Sequence, residues 1–260
     1  MDLQLQDKVV LVSGGAKGIG ASIVRACTNE GAVPVIVDRD EDASQRLRVE
    51  LRERGSNCET IEGDLTVVES CEGAIRRTVD IFGRLDVLVN NAGVNDKVGL
   101  EAGSPREYVE SLGRNLLHYY NLAHYALPHL KASRGCIVNI ASKTAITGQG
   151  GTSGYASAKG AVLALTREWA AELLGYGIRV NAVVPAEVMT PLYQQWLGTF
   201  ENPEEKLKTI LAKIPLEKRM TTSDEIAAMV MFLISEKAGH ITGQHLFVDG
   251  GYVHLDRALT

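Results

Sequence analysis

The chain has 260 residues, 45% of them hydrophobic and 23% charged, with a formal net charge of −5. That is enough apolar material for an ordinary globular core, and the acidic balance gives nucleic acid and anionic membranes no electrostatic reason to bind. No apolar run reaches the roughly eighteen residues a membrane span needs, and an N-terminus carrying Asp2 and Asp7 lacks the basic-then-apolar order of a secretion signal.

Taken in chain order, two periodicities alternate. Residues 8–13 are a short apolar run of strand type, followed by a glycine-rich turn and an amphipathic helix over 19–30. Residues 33–38 repeat the strand pattern, and helices are expected over 42–54 and 67–82 before a strand at 85–90. Gly31, Gly55 and Gly83 stand where these helices should stop, as left-handed caps. A helix at 114–130, a strand at 136–140, a helix at 154–174 and a strand at 178–184 continue the alternation. A helix at 223–235 and a strand at 245–248 complete it. Parallel strands need a helix in each crossover, so this order predicts a parallel sheet with helices on both faces. No linker or repeat interrupts it, and residues 1–260 read as one α/β domain. Residues 189–215 depart from the pattern: they carry Tyr193, Trp196 and Phe200 and break at Pro191, Pro203 and Pro215. An insertion following a strand's carboxyl end is placed to be a lid over a ligand crevice, or else a surface helix pair.

The four cysteines (Cys27, Cys58, Cys71, Cys136) show neither Cys-x-x-Cys pairing nor zinc-finger spacing. They read as reduced thiols of a cytoplasmic protein, with no metal site.

The turn after the first strand carries the first chemical signal. Gly14, Gly18 and Gly20 would allow a tight turn, close approach of a pyrophosphate and close packing of helix on sheet. Lys17 and Ile19 complete this phosphate-binding segment, whose helix N-terminus faces the anion. Asp38 ends the second strand, where a carboxylate accepts from both adenosine ribose hydroxyls and repels a 2′-phosphate. That favours NAD. Arg39 and Lys17 could offset the repulsion, which leaves NADP open.

Further motifs follow in order: Asp64-Leu65, Asn90-Asn91-Ala92-Gly93, Asn115, Ser142, Tyr155 thirteen residues later with Lys159, and Pro185 with Thr190. With the G-x-x-x-G-x-G spacing, this set resembles the short-chain dehydrogenase/reductase family along nearly the whole chain. The resemblance implies a Rossmann-type doubly wound sheet of about seven strands and NAD(P)-dependent oxidoreduction at a CH–OH group. It implies that Asp64 and Leu65 lie at the adenine, Asn91, Ala92 and Gly93 on the adenosine side, and Pro185, Val188 and Thr190 at the nicotinamide. It also implies a homotetramer built on the helices carrying Asn115 and Tyr155 and on the last strand. Pro185-Ala186 departs from the family's usual Pro-Gly.

The catalytic set that the resemblance implies is Asn115, Ser142, Tyr155 and Lys159. Oxidising an alcohol requires a base, and a free tyrosine is about three pKa units too weakly acidic, which is about 4 kcal/mol. Lys159 is one helical turn from Tyr155 and would bring a positive charge to the phenolate. It would also bond the nicotinamide ribose. Ser142 would hold the substrate oxygen, and Asn115 a water beside Lys159.

The pocket is expected from residues after Ser142, after Pro185 and in the lid: Lys143, Thr144, Gln149, Gly150, Glu187, Tyr193 and Trp196. Polar groups with an aromatic plate suit a sugar. Glu187 facing solvent or a neighbouring subunit is the alternative. Residues 142–149, 185–193 and 250–259 are similar to a sugar-oxidising branch of the family, the bacterial L-fucose dehydrogenases, which convert the anomeric carbon to a lactone. A 3-oxoacyl-thioester reductase or hydroxysteroid dehydrogenase would share the catalytic set, and a non-enzymatic NAD-sensing protein would have no need of the Tyr–Lys pair. In the tail, Tyr252, Val253, Leu255 and Leu259 could pack on another subunit, with Tyr252 or His254 reaching a neighbour's pocket.

Overall fold

The structure is a computed structural model describing residues 2–255. Leu259 therefore lies outside the described residues. The strands are β1 (Val9–Ser13), β2 (Val33–Asp38), β3 (Glu59–Glu62), β4 (Val87–Asn90), β5 (Cys136–Ile140), β6 (Arg179–Pro185) and β7 (His245–Val248). They form one parallel sheet in the order β3-β2-β1-β4-β5-β6-β7. The order reverses between β1 and β4, so the crevice for a ligand opens beyond the carboxyl ends of those two strands.

Each central strand is buried throughout because helices cover both faces. Alternation along β1 divides its side chains between two cores. Val10 and Val12 pack with Ile23 and Val24 of α1 (Gly18–Asn29) and with Val230 and Leu233 of α9 (Ser223–Ile234). Val9 and Leu11 face Ile75 of α3 (Val68–Phe82), Leu122 of α5 (His118–Ser133) and Val162 of α6 (Ser153–Glu172). Truncating a fully buried residue such as Leu11 to alanine should cost about 2–5 kcal/mol.

The helix read at 114–130 starts earlier than its periodicity suggests. Ser104 caps α4 (Pro105–Leu112), accepting from the Glu107 N–H at 3.2 Å and donating to the Glu107 carboxylate at 2.7 Å. A π turn (Gly113–Leu117) then widens the helix and leads into α5. β3 has only Thr60 and Ile61 buried, too little for hydropathy to mark it. The remaining helices are α2 (Glu41–Glu53) and, within 189–215, α7 (Pro191–Leu197) and α8 (Pro203–Leu211). No helix among the described residues is long and apolar enough to cross a membrane.

Candidate active site

The glycine turn leaves β1 at the sheet's carboxyl edge. Gly14 has φ +63°, and a Cβ there would stand 2.8 Å from Ala92 Cα; at Gly20 a Cβ would meet the Gly14 carbonyl oxygen at 2.1 Å. Neither position tolerates a side chain. Asn91 Nδ2 donates to the Ser13 and Gly14 carbonyls, both at 3.0 Å. Its amide nitrogen therefore shapes the turn. Lys17, at the N-cap of α1, makes no side-chain cap, so the first N–H groups of the helix face the crevice. A bare cradle of N–H groups without Cβ atoms fits a dinucleotide pyrophosphate. A Cβ on Gly18 would meet the Thr190 Cβ at 3.3 Å, which brings the nicotinamide-side candidate beside the phosphate turn. Thr190 also caps α7, accepting from the Tyr193 N–H at 3.2 Å.

Asp38 accepts from the Ala16 N–H at 3.1 Å and the Asp40 N–H at 3.0 Å, which fixes the carboxylate at the end of β2. The expectation that Lys17 could offset its charge changes here. The Lys17 ammonium is ion-paired with Asp40, which holds that carboxyl below the usual carboxylate range with help from the Ala43 N–H. Arg39 is exposed. Asp64 is held low chiefly by hydrogen bonds from the Thr66 N–H (2.9 Å) and hydroxyl (2.8 Å), with Arg39 adding a smaller charge effect. Leu65 is buried. Pro185 closes β6, and Val188 is buried in an isolated parallel bridge with Thr221.

Ser142, Tyr155, Lys159 and Asn115 converge beyond β5. Burial raises the Tyr155 phenol above its ordinary value, and the hydrogen bond with Ser142 pulls it part of the way back. Lys159 makes two bonds that the motif spacing does not announce. Its ammonium donates to the Tyr119 hydroxyl and the Ile140 carbonyl, each at 2.8 Å, and lies 5.7 Å from the Tyr155 ring centroid. Burial pushes Lys159 down to about 7. Asn115 sits in the π turn, where Oδ1 accepts from the Val94 N–H at 2.7 Å and Nδ2 donates to the Ser111 carbonyl at 3.1 Å. Both ends of its side chain are thus engaged by backbone. A Cβ on Gly93 would meet Asn115 Oδ1 at 3.1 Å and Lys159 Nζ at 3.4 Å, so Gly93 marks where these two groups meet.

The expected substrate residues separate into three groups. Thr144 is buried and donates to the Ser142 hydroxyl at 3.1 Å, so it orients Ser142 instead of lining open space. Gln149 is exposed in the loop before α6. Glu187 is turned away from bulk solvent: it is ion-paired with Lys143 and accepts from the Tyr193 hydroxyl at 2.6 Å. Trp196 stands edge-on to Tyr193 at 5.0 Å. In the tail, Tyr252 lies under the Lys143 ammonium at 4.0 Å, and His254 packs on Phe247 at 4.5 Å, both within their own chain. Sequence reading passed over Tyr119 and Asp40. Asp40 carried a signal, an N-cap position before α2; Tyr119 looked like any aromatic on a buried helix face.

A family model described as enoyl-(acyl carrier protein) reductase matches residues 14–253. L-fucose dehydrogenase of Oryctolagus cuniculus is 41% identical over 94% of this chain and 84% of its own. The 3-oxoacyl-(acyl-carrier-protein) reductase FabG of Thermotoga maritima is 32% identical over 96% of this chain and all of its own, 100%. Among solved structures, the Cj0485 dehydrogenase superposes with a TM-score of 0.94 at 46% identity, covering 100% of this chain and 99% of that one. The chain is an oxidoreductase of the short-chain dehydrogenase/reductase family, built for a nicotinamide cofactor, NAD or NADP.

Proposed function

We propose that this protein oxidises the anomeric hydroxyl of a free aldose, L-fucose or a close relative, to the lactone, with NAD as cofactor. The observation that carries the substrate is the likeness to an L-fucose dehydrogenase along 94% of the chain. Bound NAD would supply the hydride acceptor. Gly14, Gly18, Ile19 and Gly20 would hold its pyrophosphate, Asp38 its adenosine ribose, and Pro185, Val188 and Thr190 its nicotinamide end.

Ser142 donates to the substrate oxygen and holds it against Tyr155, which removes the hydroxyl proton. In the free protein burial holds the Tyr155 proton on, so a nearby positive charge must favour the phenolate before it can act as base. Lys159 is the positive group nearby, and its acceptors on Tyr119 and Ile140 favour its charged form. Asn115 holds the π turn and Val94 in place around this cluster. Two aspartates support NAD over NADP: Asp38 repels a 2′-phosphate and Asp40 engages Lys17.

We also infer a homotetramer in the cytoplasm. Val109, Leu117 and Tyr120 are exposed on the α4–α5 surface, and β7 is a half-buried edge strand; both are faces another copy could cover. The four cysteines are free and buried, as suits a reducing compartment. Light scattering of the purified protein tests the assembly.

The direct test follows reduced nicotinamide while the protein is given NAD or NADP with free aldoses, a 3-hydroxyacyl thioester or a hydroxysteroid. Oxidation of L-fucose with NAD supports the reading. Turnover only of the thioester would replace it with the acyl reductase reading that the Thermotoga relative favours. Binding of NAD without turnover of any alcohol would point to a sensor.

A further inference from the structure

Four segments meet at one ion pair beside Ser142. Lys143 follows Ser142 directly, at the start of a short helical turn (Lys143–Ala145). Glu187 lies two residues beyond β6, where its carbonyl accepts from the Thr221 N–H at 3.0 Å. The two side chains are 10% and 12% exposed, so the pair is largely removed from water without being sealed from the crevice. Tyr193, from α7, donates to the second carboxylate oxygen at 2.6 Å. Burial and the adjoining Glu187 raise its phenol far above the ordinary value, so it stays a donor. Tyr252 closes the other side, its ring 4.0 Å from the Lys143 ammonium. The tail that carries it is fixed by Asp249, which accepts from the Gly251 N–H at 2.8 Å and the Val253 N–H at 2.9 Å.

The geometry points to the Lys143–Glu187 pair, framed by Tyr193 and Tyr252, as the subsite that binds ring hydroxyls of a neutral aldose. This inference rests on the sugar reading above and assigns residues to it. An ammonium has three N–H donors and a carboxylate about four acceptor positions. Their mutual contact and the Tyr193 bond leave some of each unfilled. Two neighbouring hydroxyls of a sugar can complete them, one accepting from Lys143 and the other donating to Glu187. The pair also discriminates by charge. Lys143 alone would favour an anionic sugar and Glu187 alone a cationic one; together they are neutral and favour neither. A hydrocarbon chain laid over the pair would strip its remaining water and return no hydrogen bond.

The experiment measures kcat and KM for L-fucose, its singly deoxygenated analogues and galacturonate on wild type, Lys143→Met and Glu187→Gln. Wild type should reject at least one deoxy analogue, because a site built to bond a hydroxyl discriminates against its absence. Lys143→Met should raise the KM for L-fucose about ten- to hundredfold, the scale of a hydrogen bond to a charged group, and should abolish that rejection. Glu187→Gln keeps the shape and leaves the ammonium unbalanced, so kcat/KM for galacturonate should rise relative to L-fucose. Retained NAD binding and an unchanged unfolding midpoint identify variants that are folded. If both variants slow L-fucose and every deoxy analogue by the same factor, the pair only clasps the lid and the inference is overturned. Wild type that oxidises L-fucose while both variants match it overturns the inference alone. Wild type that oxidises no aldose overturns the sugar reading, and this assignment with it.

Discussion

The Lys159 ammonium donates to the Tyr119 phenolic oxygen at 2.8 Å, while the Tyr119 hydroxyl donates to the Ile140 carbonyl at the same distance. Tyr119 is fully buried, so its oxygen has no water to fall back on and is committed to this pair of bonds. An acceptor on an ammonium favours the charged form. Tyr119 thereby works against the burial that pushes Lys159 down to about 7.

Tyr119→Phe should move the pH profile of alcohol oxidation. Without the acceptor, Lys159 loses its proton at lower pH, and less positive charge remains to favour the Tyr155 phenolate. Tyr155 then needs a higher pH to act as base, so the acid limb of kcat should shift upward, by up to about one unit for a bond of 1–1.5 kcal/mol. A profile that keeps its position while the variant simply loses stability would assign Tyr119 a packing role only.

Tyr155→Phe keeps the ring and removes the proton-transfer group. Turnover should fall by at least about a hundredfold, the usual contribution of general acid–base catalysis, while NAD still binds by fluorescence titration. Near-normal turnover would displace Tyr155 from the mechanism proposed here.

How much of this site was legible in sequence follows from where each signal lives. Gly14, Gly18, Gly20, Asp38, Ser142 and Tyr155 are demanded by local backbone or by fixed spacing, and a linear pattern exposes both. The strands that hold them read clearly because a doubly covered parallel sheet is apolar along its whole length. β3 did not, since an edge strand of four residues with two glutamates has no apolar run. The helix start at Pro105 is marked only by its cap, where Ser104 and Glu107 have the Ser-x-x-Glu spacing of a capping box, while the apolar stripe begins at 114. Partnerships across the fold, such as Lys17 with Asp40, Lys143 with Glu187 and Lys159 with Tyr119, join residues 23, 44 and 40 positions apart. Periodicity carries no information about those.

Cofactor preference should respond to Asp38 and Asp40 by different routes. Asp38→Ser removes the carboxylate that repels a 2′-phosphate, and the NAD-to-NADP ratio of kcat/KM should fall at least about tenfold, the lower end for a bond to a charged group. Asp40→Ser retains a hydroxyl cap for α2 but frees Lys17, so NADP should gain while NAD changes little. Double substitution should go further toward NADP than either alone. If Asp40→Ser leaves NADP kinetics unchanged, Lys17 does not reach the ribose.

His118 should make the fold sensitive to acid. Its ring is buried, Nε2 meets the Arg114 carbonyl at 3.1 Å, and Nδ1 has no partner among the described residues. Burial, helped by the charge on Lys159 and opposed by the Arg114 carbonyl, pushes the imidazole down to about 4. The sign follows from proton counting. Between the ordinary histidine value of about 6.5 and 4, the unfolded chain binds a proton that the folded chain does not. Stability is therefore whole above that window and falls as pH drops through it, by about 3 kcal/mol if the shift acts alone. Urea unfolding at several pH values between 7 and 4 measures the slope. His118→Leu removes both the titration and the unpartnered nitrogen, so its stability should decline less steeply over the same range. Parallel curves for the two proteins would place the acid sensitivity elsewhere.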